Sequence, residues 1–328
     1  MTPLGEMQLA FKSFMLSAPG SIEAARCFVQ HKLSLAQLRV IETLARTRRI
    51  NTTAKELAIT QPSVSKHIST IENRYGHRLF ERQGHQLRST ELCDNLLPRI
   101  RTLLALAQEV DAELEGLRGL REGRLRVGYS THQFVMHVLG GFMDSFRGIK
   151  IEARCMASFD LLDHLRSGTL DAAFVTLPGA EADLDMLELR RERLVLMIGS
   201  GHPLEGEQSI NLRELSKWPV IQREASSGTR RALEAMAVRE GVVLNTVLDL
   251  GSWESLRAAV EAGIGVGVVM EGEITEASGM RAVPVASARG KELTVGHYLV
   301  CLSEARELSA INALFELSTR LRSHVTGS

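Results

Sequence analysis

INTTAKELAITQPSVSKHISTIENRYGHRLFER, residues 50–82, reads as two short helices, a tight connection and the start of a β-wing. In the first helix Ala54 and Leu57 sit three apart on one face, and Ala54 is small enough for a second helix to cross close above it. Thr60 suits the N-cap of that second helix. Pro62 falls in its first turn, where a missing N–H costs nothing, so the helix is expected to begin at Gln61. Val64, Ile68 and Ile71 recur at i, i+4 and i+7 and should face the small core, leaving Gln61, Pro62, Ser63, Ser65, Lys66 and Ser69 toward solvent. That face is short, polar and free of carboxylates, so Gln and Ser could reach base edges while Lys66 meets a phosphate. An alcohol cap alone fits any surface helix. Set beside the preceding helix, the short connection and the flanking arginines, Arg82 and Arg88 among them, it points to double-stranded DNA.

Ala54, Leu57, Thr60, Gln61, Pro62, Val64 and Ser65, followed by Ile68, Ile71, Glu72, Gly76, Leu79, Phe80 and Arg82, resemble the winged helix-turn-helix of LysR-type transcriptional regulators. One departure lies after the wing, where the family usually has T-x-A-G and this chain follows Thr90 with Glu91, Leu92 and Cys93. It changes the entry to the next helix and leaves the groove-facing residues alone.

The whole chain of 328 residues has room for two or three domains, and its 39 basic and 39 acidic residues cancel, so net charge does not advertise a nucleic-acid partner. From Leu35 to Pro98, however, ten bases stand against six acids, enough for a few phosphate contacts. Cys27, Cys93, Cys155 and Cys301 are scattered, without metal-ligand spacing, and read as small apolar fillers in a reducing compartment. The mildly apolar stretch Leu9–Ala18 is short and broken by Lys12, so neither a signal peptide nor a membrane anchor is expected, and a cytoplasmic protein follows.

Residues 1–33 read as an extension, either a loose arm or the product of an upstream start, and residues 34–92 as the winged helix-turn-helix domain. Over residues 93–122, Leu96, Ile100, Leu103, Ala107, Val110, Leu114 and Leu117 form a heptad seam. Such a stripe needs a partner; a second copy of the helix is the simplest, the chain's own C-terminal domain the alternative. By the resemblance this long linker helix joins two domains and forms an antiparallel homodimer contact. The family also implies assembly to a homotetramer, RNA polymerase as a partner and an operator with inverted symmetry.

From residue 123 to 322 short β-rich runs alternate with helical patterns, which implies an α/β domain with parallel sheets. Strands are expected at Arg124–Gly128, Ile151–Cys155, Asp171–Thr176, Leu194–Ile198, Val220–Ile221, Val247–Leu250, Gly265–Met270 and His297–Leu302. Two βα halves, about 123–196 with 269–322 and about 197–268, would form a hinged pair of subdomains. The segment from Leu165 through Gly168, Leu170, Asp171, Ala172 and Phe174, and that from Gly263 to Gly267, match the effector domain of the same family. By that resemblance the domain has the architecture of periplasmic solute-binding proteins. The DNA module and this domain together carry the resemblance over about residues 35–322.

Ligands of open α/β sheets sit where strands lead into helix N-termini. Ser130, Thr131 and His132 after the first strand, and Ser227, Gly228 and Thr229 before a helix expected at Arg230, suit that place. The resemblance adds Thr176 and the residues starting the helix at Ser252, with Trp253 as an apolar wall. Serine and threonine clusters at helix starts are usually only caps. Together these residues would hold a polar or anionic small-molecule effector, without cofactor or metal.

Three other functions compete. For an enzyme, Gly263-Ile-Gly265-Val-Gly267 superficially suggests a dinucleotide loop, yet it follows a helix and enters a strand, the reverse of the required order. No G-x-S-x-G elbow or triad spacing occurs. A solute-binding receptor would leave the helix-turn-helix without a role, and a sequence-indifferent DNA protein would leave the α/β domain without one.

Overall fold

A computed structural model describes residues 33–84, 86–114, 123–132, 135–274 and 279–325. All but Leu33 of the expected N-terminal extension, and Leu117 of the seam, lie outside these. The chain forms two units, which divide between Thr90 and Glu91.

The first unit carries helices α1 (Leu35–Thr47), α2 (Ile50–Glu56) and α3 (Gln61–Tyr75), then wing strands β1 (Phe80–Gln83) and β2 (Gln86–Ser89). Its core is Leu38, Val40, Ile41, Leu44, Ala54, Val64, Ile68 and Ile71, the residues that helical spacing turns inward. α3 begins at Gln61 as expected, with Thr60 Oγ1 accepting the Ser63 N–H at 3.3 Å. Glu72 explains a motif position that sequence left unexplained. Its buried carboxylate accepts the N–H groups of Leu79 and Phe80 at 2.8 and 3.2 Å and the Arg78 guanidinium at 3.0 Å, pinning the wing to α3.

The second unit opens with α4 (Glu91–Leu114), which places Leu97 and Ile100 in buried positions while Leu103, Leu106, Val110 and Leu114 are exposed. Part of the helix is fastened to its own domain: Arg99 pairs with Glu304 at 3.1 Å, and Glu109 accepts the Ser309 N–H and hydroxyl, each at 3.0 Å. The N-terminal part of the stripe thus packs within its own domain, and the described C-terminal part is exposed.

Next come β3 (Gly123–Tyr129), α5 (Val135–Ser145), β4 (Ile149–Cys155), α6 (Ser158–Arg166), β5 (Ala172–Leu177) and β6 (Leu184–Ile198). After them follow β7 (Ile210–Asn211), α7 (Leu212–Leu215), β8 (Val220–Arg223), α8 (Gly228–Glu240), β9 (Thr246–Leu250), α9 (Trp253–Glu261), β10 (Val266–Met270), β11 (Arg281–Ala286), β12 (Thr294–Leu302) and α10 (Ser309–Val325). The first sheet runs β4-β3-β5-β12-β6 and the second β11-β6-β10-β8-β9, with β7 beside β11.

The expectation of parallel sheets holds for β3 with β4 and β5, and for β8 with β9 and β10. It fails at β6, which carries the chain from the first sheet to the second, and at β11 and β12, on either side of the return, all of which pair antiparallel with strands of the sheets. Strand β6 is a single fifteen-residue strand, where only Leu194–Ile198 was expected. Its first part, Leu184–Arg193, pairs with β12 and its last part with β10 and β11. The return to the first sheet also lies later than the expected residue 269. Strand β11 pairs with Leu196 and Met197 of the second sheet, so the crossing falls between Ala286 and Thr294.

The motif residues of this domain have packing roles. Asp171 accepts from the Arg126 N–H at 2.7 Å and from its Nε at 3.1 Å. A Cβ on Gly265 would lie 2.4 Å from the Pro219 carbonyl, and one on Gly267 would lie 2.4 Å from Leu256 Cδ2, so this glycine run serves close packing.

Candidate functional site

Two helix N-termini converge on a small cleft in the α/β unit. α6 enters from Ala157 and α8 from Ser227, and neither N-cap residue makes a side-chain cap bond. Their first N–H groups are thus left to other acceptors, and both dipoles present their positive ends. The cleft, about 20 Å³, is lined from the first sheet by Ser130, Ser158 and Thr176 and from the second by Arg223, Ser227, Gly228, Thr229 and Glu273.

The halves meet closely here. A Cβ on Gly228 would fall 1.8 Å from the Thr176 carbonyl, so only glycine permits this approach. The Phe159 N–H donates to the Ser226 carbonyl at 3.0 Å, and the Ser226 hydroxyl donates to Asp160 at 2.9 Å. The Arg231 guanidinium lies 3.6 Å from the centre of the Phe159 ring, a cation–π contact spanning the same line.

Behind Thr176 lies a buried polar chain. Ser158 Oγ accepts the Thr176 N–H at 3.0 Å, Thr176 Oγ1 is 3.4 Å from Ser130 Oγ, and it is 3.2 Å from His297 Nδ1. His297 faces Thr176 directly across β5 and β12, next to a bulge that re-aims its strand. Its Nε2 is 3.4 Å from Glu192, which also pairs with Arg190 and accepts the Gly272 N–H at 3.3 Å. Burial works against charge on Glu192, yet His297 and Arg190 outweigh it and hold the carboxyl below the usual range. Glu273 is the opposite case: burial raises its carboxyl to about 7 despite the Met270 N–H and nearby Arg223.

Of the residues expected in the site, Ser130, Thr176, Ser227, Gly228 and Thr229 line the cleft. Thr131 and His132 are not among the residues that line it. Trp253 is also elsewhere: at the start of α9 it packs beside the cluster of Val195, Ile221 and Leu256, with Arg257 over its ring. Arg223, which could add charge although its spacing does not place it, also lines the cleft, whereas Ser158, Glu273, His297 and Glu192 are not singled out by the sequence. Only contacts between distant strands single them out, although the missing cap residue at Ala157 was a readable signal.

On the DNA module, Gln61, Pro62, Ser65, Lys66 and Ser69 are exposed on α3, as are Arg82 and Arg88 on the wing. Ser63 is half-buried and bonded to Thr60 Oγ1 at 2.8 Å, so it belongs to the cap as much as to the outer face. Among the described residues no helix is long and apolar enough to cross a membrane, and no group of three or more His, Cys, Asp or Glu could hold a metal ion.

Residues 35–93 match the model of the bacterial regulatory helix-turn-helix protein, lysR family, and residues 118–322 match the LysR substrate binding domain. The chain belongs to the LysR family of transcriptional regulators. It is 26% identical to the HTH-type transcriptional activator CmpR of Synechocystis sp., over 86% of this chain and 93% of that one. It is 30% identical to the regulator CfxR of Cupriavidus necator, over 72% of this chain and 75% of that one. In fold it is similar to full-length OxyR from Pseudomonas aeruginosa, with a TM-score of 0.68 at 21% identity, covering 88% of this chain and 95% of that one. This LysR-type regulator accordingly combines a DNA-binding helix-turn-helix with an effector-binding domain, and the family consists of regulators, not enzymes.

Proposed function

We propose that this regulator holds an interrupted-palindrome operator and alters transcription when a small anionic or polar effector occupies the cleft between its two sheets. The convergence of Ser130, Ser158 and Thr176 with Ser227, Gly228 and Thr229 at two uncapped helix N-termini supports that reading most strongly. Hydroxyls and N–H groups there would hold an anion from both sides, while Glu273 and Thr176 would meet a ligand donor. Closure around the ligand moves one sheet relative to the other, and the effector shifts the equilibrium only by binding one arrangement more tightly.

On DNA, Gln61, Pro62, Ser65, Lys66 and Ser69 would occupy the major groove, with Thr60 and Ser63 ordering the helix start and Arg82 and Arg88 on phosphates. The bare stripe Leu103, Leu106, Val110 and Leu114 supports a homodimer through α4, with a tetramer built from such dimers. By family resemblance the DNA-bound assembly acts on RNA polymerase, in the cytoplasm.

The test uses the full chain. Small carboxylates and phosphate esters are screened by thermal shift, and the hits are assayed for their effect on binding to DNA upstream of the chain's own reading frame. Thr176→Val and Ser227→Ala should each weaken the effector response about tenfold or more and leave basal DNA binding intact. A normal response in both would place the effector elsewhere, and equal affinity for upstream and scrambled DNA would remove the operator.

A further inference from the structure

We infer that Arg48 and Arg49, together with Arg82 of the wing, form a second phosphate-gripping surface for DNA, distinct from the face of α3. Three independent features converge on this pair.

The first is charge. Within the DNA module Arg46 is taken up by Glu42 and Glu56, and Arg78 by Glu72. Arg48, Arg49 and Arg82 are exposed and have no carboxylate partner among the described residues. The three line one open cleft of about 340 Å³ with Asn51 and Gln86. A cleft bordered by three guanidiniums, an amide from each side and no acid fits the oxygens of successive backbone phosphates.

The second is that both positions hold a residue that local structure would not choose. Arg48 caps α1 in the left-handed region at φ 57°, where an L side chain is strained and glycine is at ease. Arg49 is the N-cap of α2 and makes no side-chain cap bond, a place where serine or asparagine would satisfy a helix N–H. Two adjacent departures of this sort, each adding a cation, are what a functional demand on charge would leave behind.

The third is positioning. The Arg48 N–H donates to Leu44 at 2.8 Å, and its carbonyl accepts the N–H of Leu87, in β2, at 2.9 Å. The Arg49 carbonyl accepts the Thr53 N–H and hydroxyl, each at 3.0 Å, and the Thr47 hydroxyl at 3.4 Å. The backbone under both guanidiniums is therefore fixed from two sides while the side chains stay free, and the wing is tied to the same turn. Phosphates held here would set how the duplex meets the wing without reading its sequence.

The experiment compares wild type, Arg48→Gly/Arg49→Ser and Arg48→Lys/Arg49→Lys as full-length proteins. Each is titrated by fluorescence anisotropy against labelled duplex from upstream of the reading frame and against a scrambled duplex of equal length, over a range of salt. The Gly/Ser pair should bind both duplexes about tenfold more weakly or worse, with the slope of log K against log salt shallower by about 2 for each module in contact. Its melting temperature should equal or exceed that of wild type, because both changes relieve local structure. The Lys pair should keep most of the slope. Unchanged affinity and slope in the Gly/Ser pair would overturn the inference. So would a lowered melting temperature with binding lost in proportion, which assigns the pair to folding, or a Lys pair as weak as the Gly/Ser pair, which removes the role of charge.

Discussion

Ala58 stands in the turn between α2 and α3 at φ 52°, a conformation an L residue adopts only at a cost. Ala58→Gly should therefore raise stability by about 0.5–1 kcal/mol with DNA affinity unchanged, read as a shift in the denaturant midpoint. Glu273 makes a prediction of opposite character. Its carboxyl titrates near 7 in the folded protein, against an ordinary 4.5, so the native state holds the proton more tightly than the unfolded chain does. The stabilisation is complete below about 4.5 and is lost as the pH rises through about 7. Glu273→Gln should flatten that fall, measured by chemical unfolding at about pH 5 and about pH 8. An anionic effector should also bind wild type less well above pH 7, and the Gln variant should lose that dependence. Neither behaviour was legible from residue identity, since a positive φ and a buried carboxylate are products of tertiary context. Thr60, Pro62 and the inward residues of α3 were legible because capping and helical period act within one turn of chain.

Elements with a clean period were legible in the sequence, as with the start and the inward face of α3, and those with mixed surroundings were not. β6 was recognised only over Leu194–Ile198, where both faces are buried; its earlier residues alternate with charged partners and are half-exposed. β11 contains Pro284, which disguises a strand, and it lies between β6 and β7. In the site, the strand-to-helix turn at Ser227 was visible, whereas Glu192 and His297 come together only through pairing across β6, β12 and β5. The α4 stripe was seen through its spacing, and its bare part offers a direct check. Leu103 and Val110 are 51% and 55% exposed. Leu103→Glu/Val110→Glu should dissociate the assembly with little loss of monomer stability, seen by sedimentation velocity; an unchanged sedimentation coefficient would send the interface elsewhere. Weakened DNA binding should accompany dissociation, since two linked readers gain from effective concentration.

At the scale of the α/β unit, the halves are fastened across the cleft by Phe159, Ser226, Asp160 and Arg231. Arg231→Ala removes the guanidinium from the Phe159 ring and should favour the open arrangement by about 0.5–1 kcal/mol, detectable as faster amide hydrogen exchange around Ser226. The sequence announced two halves and a hinge; that they meet shut could not be read from it, because Gly228 against the Thr176 carbonyl is a contact between residues far apart in the chain. A cleft of about 20 Å³ holds little more than one water. If the effector binds here as proposed, a metabolite would need the halves to part, breaking the Phe159–Ser226 hydrogen bond, so opening would precede capture. Observed association rates should then level off as effector concentration rises, at the rate of opening itself, and the apparent affinity should equal the intrinsic one scaled by the open fraction. The signal this regulator delivers would thereby carry a built-in delay, set by its own breathing and not by how often the effector arrives.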